Sequence, residues 1–149
     1  MPIGEFCSRE VVIADPSMTV LEGARLMRRY HVGNVIVVDR RDGARKPVGI
    51  VTDRDIVLEV VVNRLDPATV ALGDIMVTNL AVAHVGEGVF DTIQFMRRRG
   101  IRRVPVVDGT GELVGIVALD DVIGLLAEEL SEVSKVISRE QALEADSRK

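Results

Sequence analysis

Apolar positions along the chain fall into two rhythms that alternate and then recur. Short apolar runs at residues 11–13 and 81–83 predict strands. Val20, Ala24 and Met27 stand at i, i+4 and i+7, one face of a helix of about three turns. Val89, Ile93 and Met96 repeat that face, with Arg28, Arg29, Arg97 and Arg98 left for the wet side. β-branched runs at 35–38 and 104–107 then lead past the turns Asp42-Gly43 and Asp108-Gly109 into further apolar runs at 48–51 and 113–117. Closing helices start at Asp53 and near Leu119, each with acidic residues in its first turn, where they suit the positive end of the helix dipole.

The recurrence is a register match. Met27 to Asp39 pairs with Met96 to Asp108 at an offset of 69 residues, and Val48 to Ile56 pairs with Val114 to Val122 at an offset of 66. The difference is absorbed in the polar stretch 40–46, where a surface turn tolerates insertion. A strand-helix-strand-strand-helix unit of about 55 residues holds a core poorly by itself, but two packed together hold one. The expectation is therefore a mixed α/β (α+β) fold: repeat 1 over 7–63, a connector over 64–75 containing Asp66-Pro67, repeat 2 over 76–130, and a C-terminal helix and tail over 131–149. In that last segment Leu126, Leu130, Val133 and Ile137 form a narrow apolar stripe, suited to lying on its own domain or to meeting a partner. Residues 144–149 are expected to fray.

Composition narrows the functional classes. The chain has 149 residues, of which 47% are hydrophobic, so it is not a disordered chain. No run approaches the roughly 18 apolar residues of a membrane span, and the first residues lack a signal-peptide pattern, so a soluble cytoplasmic protein is expected. One cysteine, Cys7, and two histidines, His31 and His84, allow neither an internal disulfide nor a Cys/His metal cage; an inert thiol and surface histidines are expected. No metal site is predicted.

The segment Gly49-Ile50-Val51-Thr52-Asp53-Arg54-Asp55 carries the chemistry of interest. Thr52 ends a strand, and Asp55 lies in the first turn of the next helix. Such residues commonly cap the helix. They equally suit a nucleotide: a carboxylate accepts hydrogen bonds from ribose hydroxyls, while the Thr hydroxyl, helix N-terminal amides and Arg54 suit a phosphate. In the second copy Ala118 replaces the threonine, Asp121 keeps the carboxylate, and Arg102 and Arg103 stand where repeat 1 has Gly33 and Asn34. Two unequal sites are expected.

This doubled pattern, an apolar strand ending in Val-Val-Asp, a turn, then Gly-Ile-Val-Thr-x-x-Asp, strongly resembles the CBS domain, named after cystathionine beta-synthase, in its usual tandem pair. The resemblance covers about residues 7 to 130 and implies a stand-alone CBS pair whose two repeats pack by pseudo-twofold symmetry into one module. It also implies that each cleft joins one repeat's Thr/Asp motif to the other repeat's first strand and the start of its second. One cleft would then hold Thr52, Arg54 and Asp55 with Leu80, Ala81 and Ile101. The other would hold Asp121 with Val11, Val12, Val32, Arg102 and Arg103. The apolar members would sandwich a purine, or else belong simply to the core.

The implied ligand is AMP, ADP or ATP. NAD or S-adenosylmethionine shares the adenosine portion, although Arg54, Arg102 and Arg103 favour a phosphate over a sulfonium. The implied role is non-catalytic and regulatory, transmitting ligand state by conformational change; the alternative is a ligand-free scaffold for a protein partner. No enzyme is expected, because Asp120-Asp121 and Glu128-Glu129 are sequence neighbours pointing different ways, and neither histidine sits in a nucleophile and base arrangement. No catalytic cofactor is implied, and Gly86-Glu87-Gly88 is too short for a dinucleotide fingerprint. The arginine cluster at 97–103 could contact nucleic acid, but the net charge of −4, the 3% aromatic content and the place of Arg97 to Arg99 at a helix C-terminus argue against it. The resemblance also implies a flat homodimer, formed through Ile56, Val57, Val60, Val61, Leu125 and Leu126.

Overall fold

A computed structural model describes residues 1–149, which divide into two compact units, Met1–Val117 and Ala118–Lys149. In the first unit, β1 (Ile13–Ala14), α2 (Val20–Tyr30), β2 (Asn34–Asp39) and β3 (Lys46–Thr52) are followed by β4 (Ala83–His84), α5 (Val89–Arg99), β5 (Arg103–Val107) and β6 (Leu113–Ala118, whose last residue opens the second unit). Short helical turns, α1 (Ile3–Phe6) and α4 (Leu72–Ile75), precede the two series, and α3 (Asp53–Ile56) follows β3. The two sheets have the same order, β1-β2-β3 and β4-β5-β6. In each, the two-residue first strand runs parallel to the second, Ile13 beside Ile36 and Ala83 beside Val106.

Burial explains why β2 reads as unbroken aliphatic. Val35 and Val37 point into one core cluster with Ala14, Val20, Met27 and Leu72, while Ile36 and Val38 point the other way against Leu113 of repeat 2. A strand with both faces covered needs apolar residues at every position. The first strands are shorter and later than the apolar runs predict: Val11 and Val12 pack beside the core clusters, and the Val12 carbonyl accepts from Ile36 N–H at 2.9 Å, just ahead of the two-residue β1 pairing.

The helix expected from Asp53 begins as an α-turn and then widens, with the Val62 N–H reaching back five residues to the Val57 carbonyl at 3.0 Å and Leu65 N–H to Val60 at 3.0 Å. The wider turn places Val60 inside, only 2% exposed and packed in the repeat 1 core, which corrects its expected place on a dimer surface. Val57 and Val61 stay outside, 51% and 64% exposed, and Ile56 is half-buried against the core.

Leu72–Ile75, expected as connector, is a helical turn equivalent to Ile3–Phe6 at the 69-residue offset, Leu-Gly-Asp-Ile matching Ile-Gly-Glu-Phe. Each turn sits on the opposite repeat. Ile3 N–H and Gly4 N–H donate to the carbonyls of Glu87 and Val85, and Leu72 N–H and Gly73 N–H donate to the equivalent Met18 and Pro16. The residues that follow also bridge across: Ser8 pairs with Ile116, and its equivalent Val77 pairs with Ile50.

The second unit is one helix, α6 (Leu119–Ser147). It continues through residue 131 without a break and runs to Ser147, so that residues 144–147, expected to fray, are helical. Nothing after Gly124 in this stretch is a helix breaker. The stripe Leu130, Val133 and Ile137 is exposed along it. No helix of the protein is long and apolar enough to cross a membrane.

Candidate functional site

The turn from β3 into α3 is held by a reciprocal cap. Asp55 N–H donates to the Thr52 hydroxyl oxygen at 3.1 Å, and Thr52 N–H donates to Asp55 Oδ2 at 2.8 Å. Asp53 N–H donates to the Gly33 carbonyl at 3.0 Å, fixing this corner against the start of β2. The cap thus occupies one carboxylate oxygen of Asp55 and leaves Oδ1 for another donor.

Opposite stands the entry to β5. Gly100, at φ 63°, ends α5 in a left-handed turn, and Ile101 N–H closes it on the Met96 carbonyl at 3.1 Å. This turn delivers Ile101, Arg102 and Arg103 to the cleft. Gly33 contributes by lacking a side chain: a Cβ there would lie 3.1 Å from Arg103 Nη2 and 3.2 Å from Asp53 Oδ2.

Between these corners lie two adjoining cavities that share Ile50, Val77, Ile101 and Arg103 as walls. One, of about 470 Å³, is lined also by Thr52 to Asp55 and Arg102. Its neighbour, of about 350 Å³, adds Asn79, Leu80, Ala81 and Arg99. Arg99 is anchored by a 3.5 Å hydrogen bond to the Asn79 carbonyl and stands 6.0 Å from the Phe95 ring centroid. The six residues expected of the Thr52 cleft therefore line one groove. Arg102 and Arg103, grouped with Asp121 from the sequence, line this groove as well, because β5 enters beside Thr52.

Val11, Val12 and Val32 line a separate cavity of about 550 Å³ together with Glu10, Leu26 and Tyr30. Asp121, in the second unit, accepts the Ala118 N–H at 3.3 Å and caps α6 from one side only, since Ala118 has no hydroxyl to reciprocate. His31 and His84 are exposed, and Cys7 is a buried free thiol.

Ile50, Val77, Asn79 and Arg99 were not anticipated as groove walls. Their signal lies in the repeat itself: Val77 follows from extending the 69-residue match back through Ile-Gly-Glu-Phe-Cys and Leu-Gly-Asp-Ile-Met, and Arg99 is four residues beyond Phe95 on the same helix face.

The CBS domain family matches the chain twice, at residues 3–62 and 72–128. An uncharacterized protein of Methanopyrus kandleri is 36% identical over 121 residues, 81% of this chain, and the match spans only 60% of that relative's length. Among solved structures, the CBS domain protein PAE2072 of Pyrobaculum aerophilum, complexed with AMP, is 30% identical with a TM-score of 0.73 over 81% of this chain and 89% of its own. The CBS domain pair of protein MJ0100, in complex with 5′-methylthioadenosine and S-adenosylmethionine, is 26% identical with a TM-score of 0.75 over 87% of this chain and 98% of its own. Two matches in register with the two sheets leave one conclusion: the chain belongs to the CBS domain family, as a tandem pair.

Proposed function

We propose that this protein is a non-catalytic regulatory module that binds an adenine nucleotide, AMP, ADP or ATP, in the groove between Thr52 and Arg103 and transmits its ligand state by a change of shape or partner affinity. The observation that carries the reading is the groove's division of labour. Leu80, Ala81 and Ile101 provide apolar walls at one end, and Asp55 offers a free carboxylate oxygen at the other. Arg54, Arg102 and Arg103 line the same groove. Apolar walls suit a purine, the carboxylate suits ribose hydroxyls, and guanidinium groups suit phosphate through charge-assisted hydrogen bonds. The AMP bound to the Pyrobaculum relative supports the same class of ligand. The arginines favour it over the sulfonium of S-adenosylmethionine.

The working form we propose is a cytoplasmic homodimer. Val57, Val61 and Val62, all more than half exposed on the widened helix, form an apolar face that association would cover. Light scattering should report twice the 16.3 kDa chain mass, and a monomer at micromolar concentration would refute the dimer.

A thermal-shift series with AMP, ADP, ATP, NAD, S-adenosylmethionine and GTP tests the ligand. At 100 times its dissociation constant a ligand adds about 2.7 kcal/mol, or several degrees. Shifts with adenine nucleotides and none with GTP are expected. No shift with any of the six, in folded protein free of bound nucleotide, would instead favour a protein-interaction scaffold.

A further inference from the structure

We propose that the outer part of α6 pairs with the α6 of a second copy of this chain as a short antiparallel coiled coil, centred between Ser131 and Glu132. This contact is separate from the apolar face of Val57, Val61 and Val62, and it joins the same two chains at a second place.

From Leu126 to Ser147 every residue of α6 is exposed. Helical stability in water comes mostly from packing an apolar face rather than from propensity, so this stretch calls for a cover. Ile123, Leu126, Leu130, Val133 and Ile137 recur at alternating steps of three and four, the period of a coiled-coil seam, and all are between 38% and 70% exposed. The centre of the seam lies beyond residue 128, where the match to the CBS domain ends.

Two features select a second copy in the antiparallel sense. Continued past Ile137, the seam meets Glu140 and Glu144. A parallel pair would set Glu140 on Glu140 and Glu144 on Glu144 within the seam, like charges at close range. The antiparallel pair instead layers Leu126 on Ile137 and Leu130 on Val133 of the second copy, each layer repeated across the twofold axis. It leaves each Glu140 at the end of the overlap, opposite Ile123 and away from its counterpart. Charge is divided to match. Residues 119–132 carry five carboxylates and no lysine or arginine, while residues 133–149 carry four basic residues against three acidic. Antiparallel packing lays each acidic half beside the other copy's outer half, whereas parallel packing lays acidic on acidic. Lys135 is paired with Glu132 of its own chain, but Glu129 and Arg139 form no ion pair within the chain. The antiparallel register brings these two to the same flank, about one turn apart across the pair. The opposite flank holds Ala127 and Ser134, small enough for the helices to close.

Single cysteines read this arrangement in the full-length protein. Leu126→Cys and Ile137→Cys are made as separate chains, one isotopically labelled so that mixed disulfides are told apart by mass. Cys7 is buried and stays, with oxidised wild type as the control. In the antiparallel pair residue 126 lies beside residue 137 of the second copy, whereas the two residues 126 are separated by about 16 Å along the axis, beyond the reach of a disulfide. Equilibrated in a glutathione redox buffer, the mixture should give the 126 to 137 disulfide at least about tenfold over either like-with-like disulfide, and each variant alone should stay nearly uncrosslinked. Hydrogen exchange gives a readout that needs no cysteine. Amides of residues 130–137 should exchange at least about tenfold faster in the full chain carrying Leu130→Gln with Ile137→Gln than in wild type, while β2 keeps its protection. Glutamine preserves helix propensity, so the loss reports the seam.

Like-with-like disulfides at 126 or 137 would overturn the antiparallel pairing. No disulfide in the mixture, with wild-type amides of 130–137 exchanging as fast as those of the glutamine variant, would overturn the pairing altogether. A dimer mass in that second case would leave the face of Val57 and Val61 as the contact between the two chains.

Discussion

Thr52 and Ala118 occupy equivalent positions, and the hydroxyl between them decides how firmly the following helix is started. Thr52 exchanges two hydrogen bonds with Asp55, whereas Asp121 receives one from Ala118 and returns none to a side chain. Thr52→Ala should therefore cost about 1 kcal/mol in chemical denaturation, the usual worth of an N-cap, and weaken AMP binding as the corner loosens. From sequence the same two residues supported a cap and a ligand site alike. The cap is present, and it uses one oxygen of Asp55 without closing the groove, so the two roles do not compete. Glycines offer a second comparison. A Cβ on Gly49 would meet the flexible Met76 side chain at 2.5 Å, but on Gly115 it would meet the Ser8 backbone carbonyl at 2.5 Å. Gly115→Ala should thus lower the melting temperature more than Gly49→Ala, because a thioether moves aside and a paired backbone does not. At the tip of repeat 2, Asp108 Oδ1 accepts from the Thr110 hydroxyl at 2.7 Å and from the N–H groups of Thr110 and Glu112. The Thr110 hydroxyl, helped by those amides, holds its carboxyl below the usual range. A lowered carboxyl stabilises the fold above its unfolded range and loses that contribution as pH falls through its folded value. The deficit in melting temperature of Asp108→Ala against wild type should therefore be full at neutral pH and close progressively below pH about 4.

Elements were legible where periodicity has one meaning. The stripe Val20, Ala24, Met27 gave α2 and its counterpart gave α5, because a long amphipathic face fits no other element. The stretch after Asp53 was not so constrained. A run of Val57, Leu58, Glu59, Val60 and Val61 fits an α-helix and a π-helix equally, and only the tertiary core selects the wider turn that carries Val60 inward. Val60→Ala should accordingly cost about 2 kcal/mol or more, from two lost methyl groups and the space they leave, whereas Val61→Ala should leave the folding stability of the isolated chain nearly unchanged. Urea denaturation at low protein concentration measures both. Short strands were harder still. An apolar triplet such as 11–13 signals burial, and Val11 and Val12 obtain it by packing at a cavity wall rather than by full pairing in a sheet.

At the scale of the two repeats, the internal match revealed the duplication but not its exchange of parts. Ile-Gly-Glu-Phe and Leu-Gly-Asp-Ile are too short and too ordinary to stand out, yet each turn is hydrogen-bonded to the opposite repeat through equivalent carbonyls. Deleting residues 1–8 should therefore weaken repeat 2 before repeat 1. Hydrogen exchange should show lost protection at Val89 and Ile116, whose amides donate to Met1 and Ser8, with Val20 and Ile50 retained, since their acceptors Val70 and Val77 remain. The same exchange shapes the groove, because the Ile50 and Val77 pairing brings residues 77–81 alongside the Thr52 corner. A crystal structure of the protein grown with AMP would show whether a nucleotide occupies this groove. The base should lie between Leu80, Ala81 and Ile101, a ribose hydroxyl on Asp55 Oδ1, and the phosphate against Arg102 or Arg103. AMP found elsewhere, or a groove that stays empty at saturating AMP, would contradict nucleotide binding there.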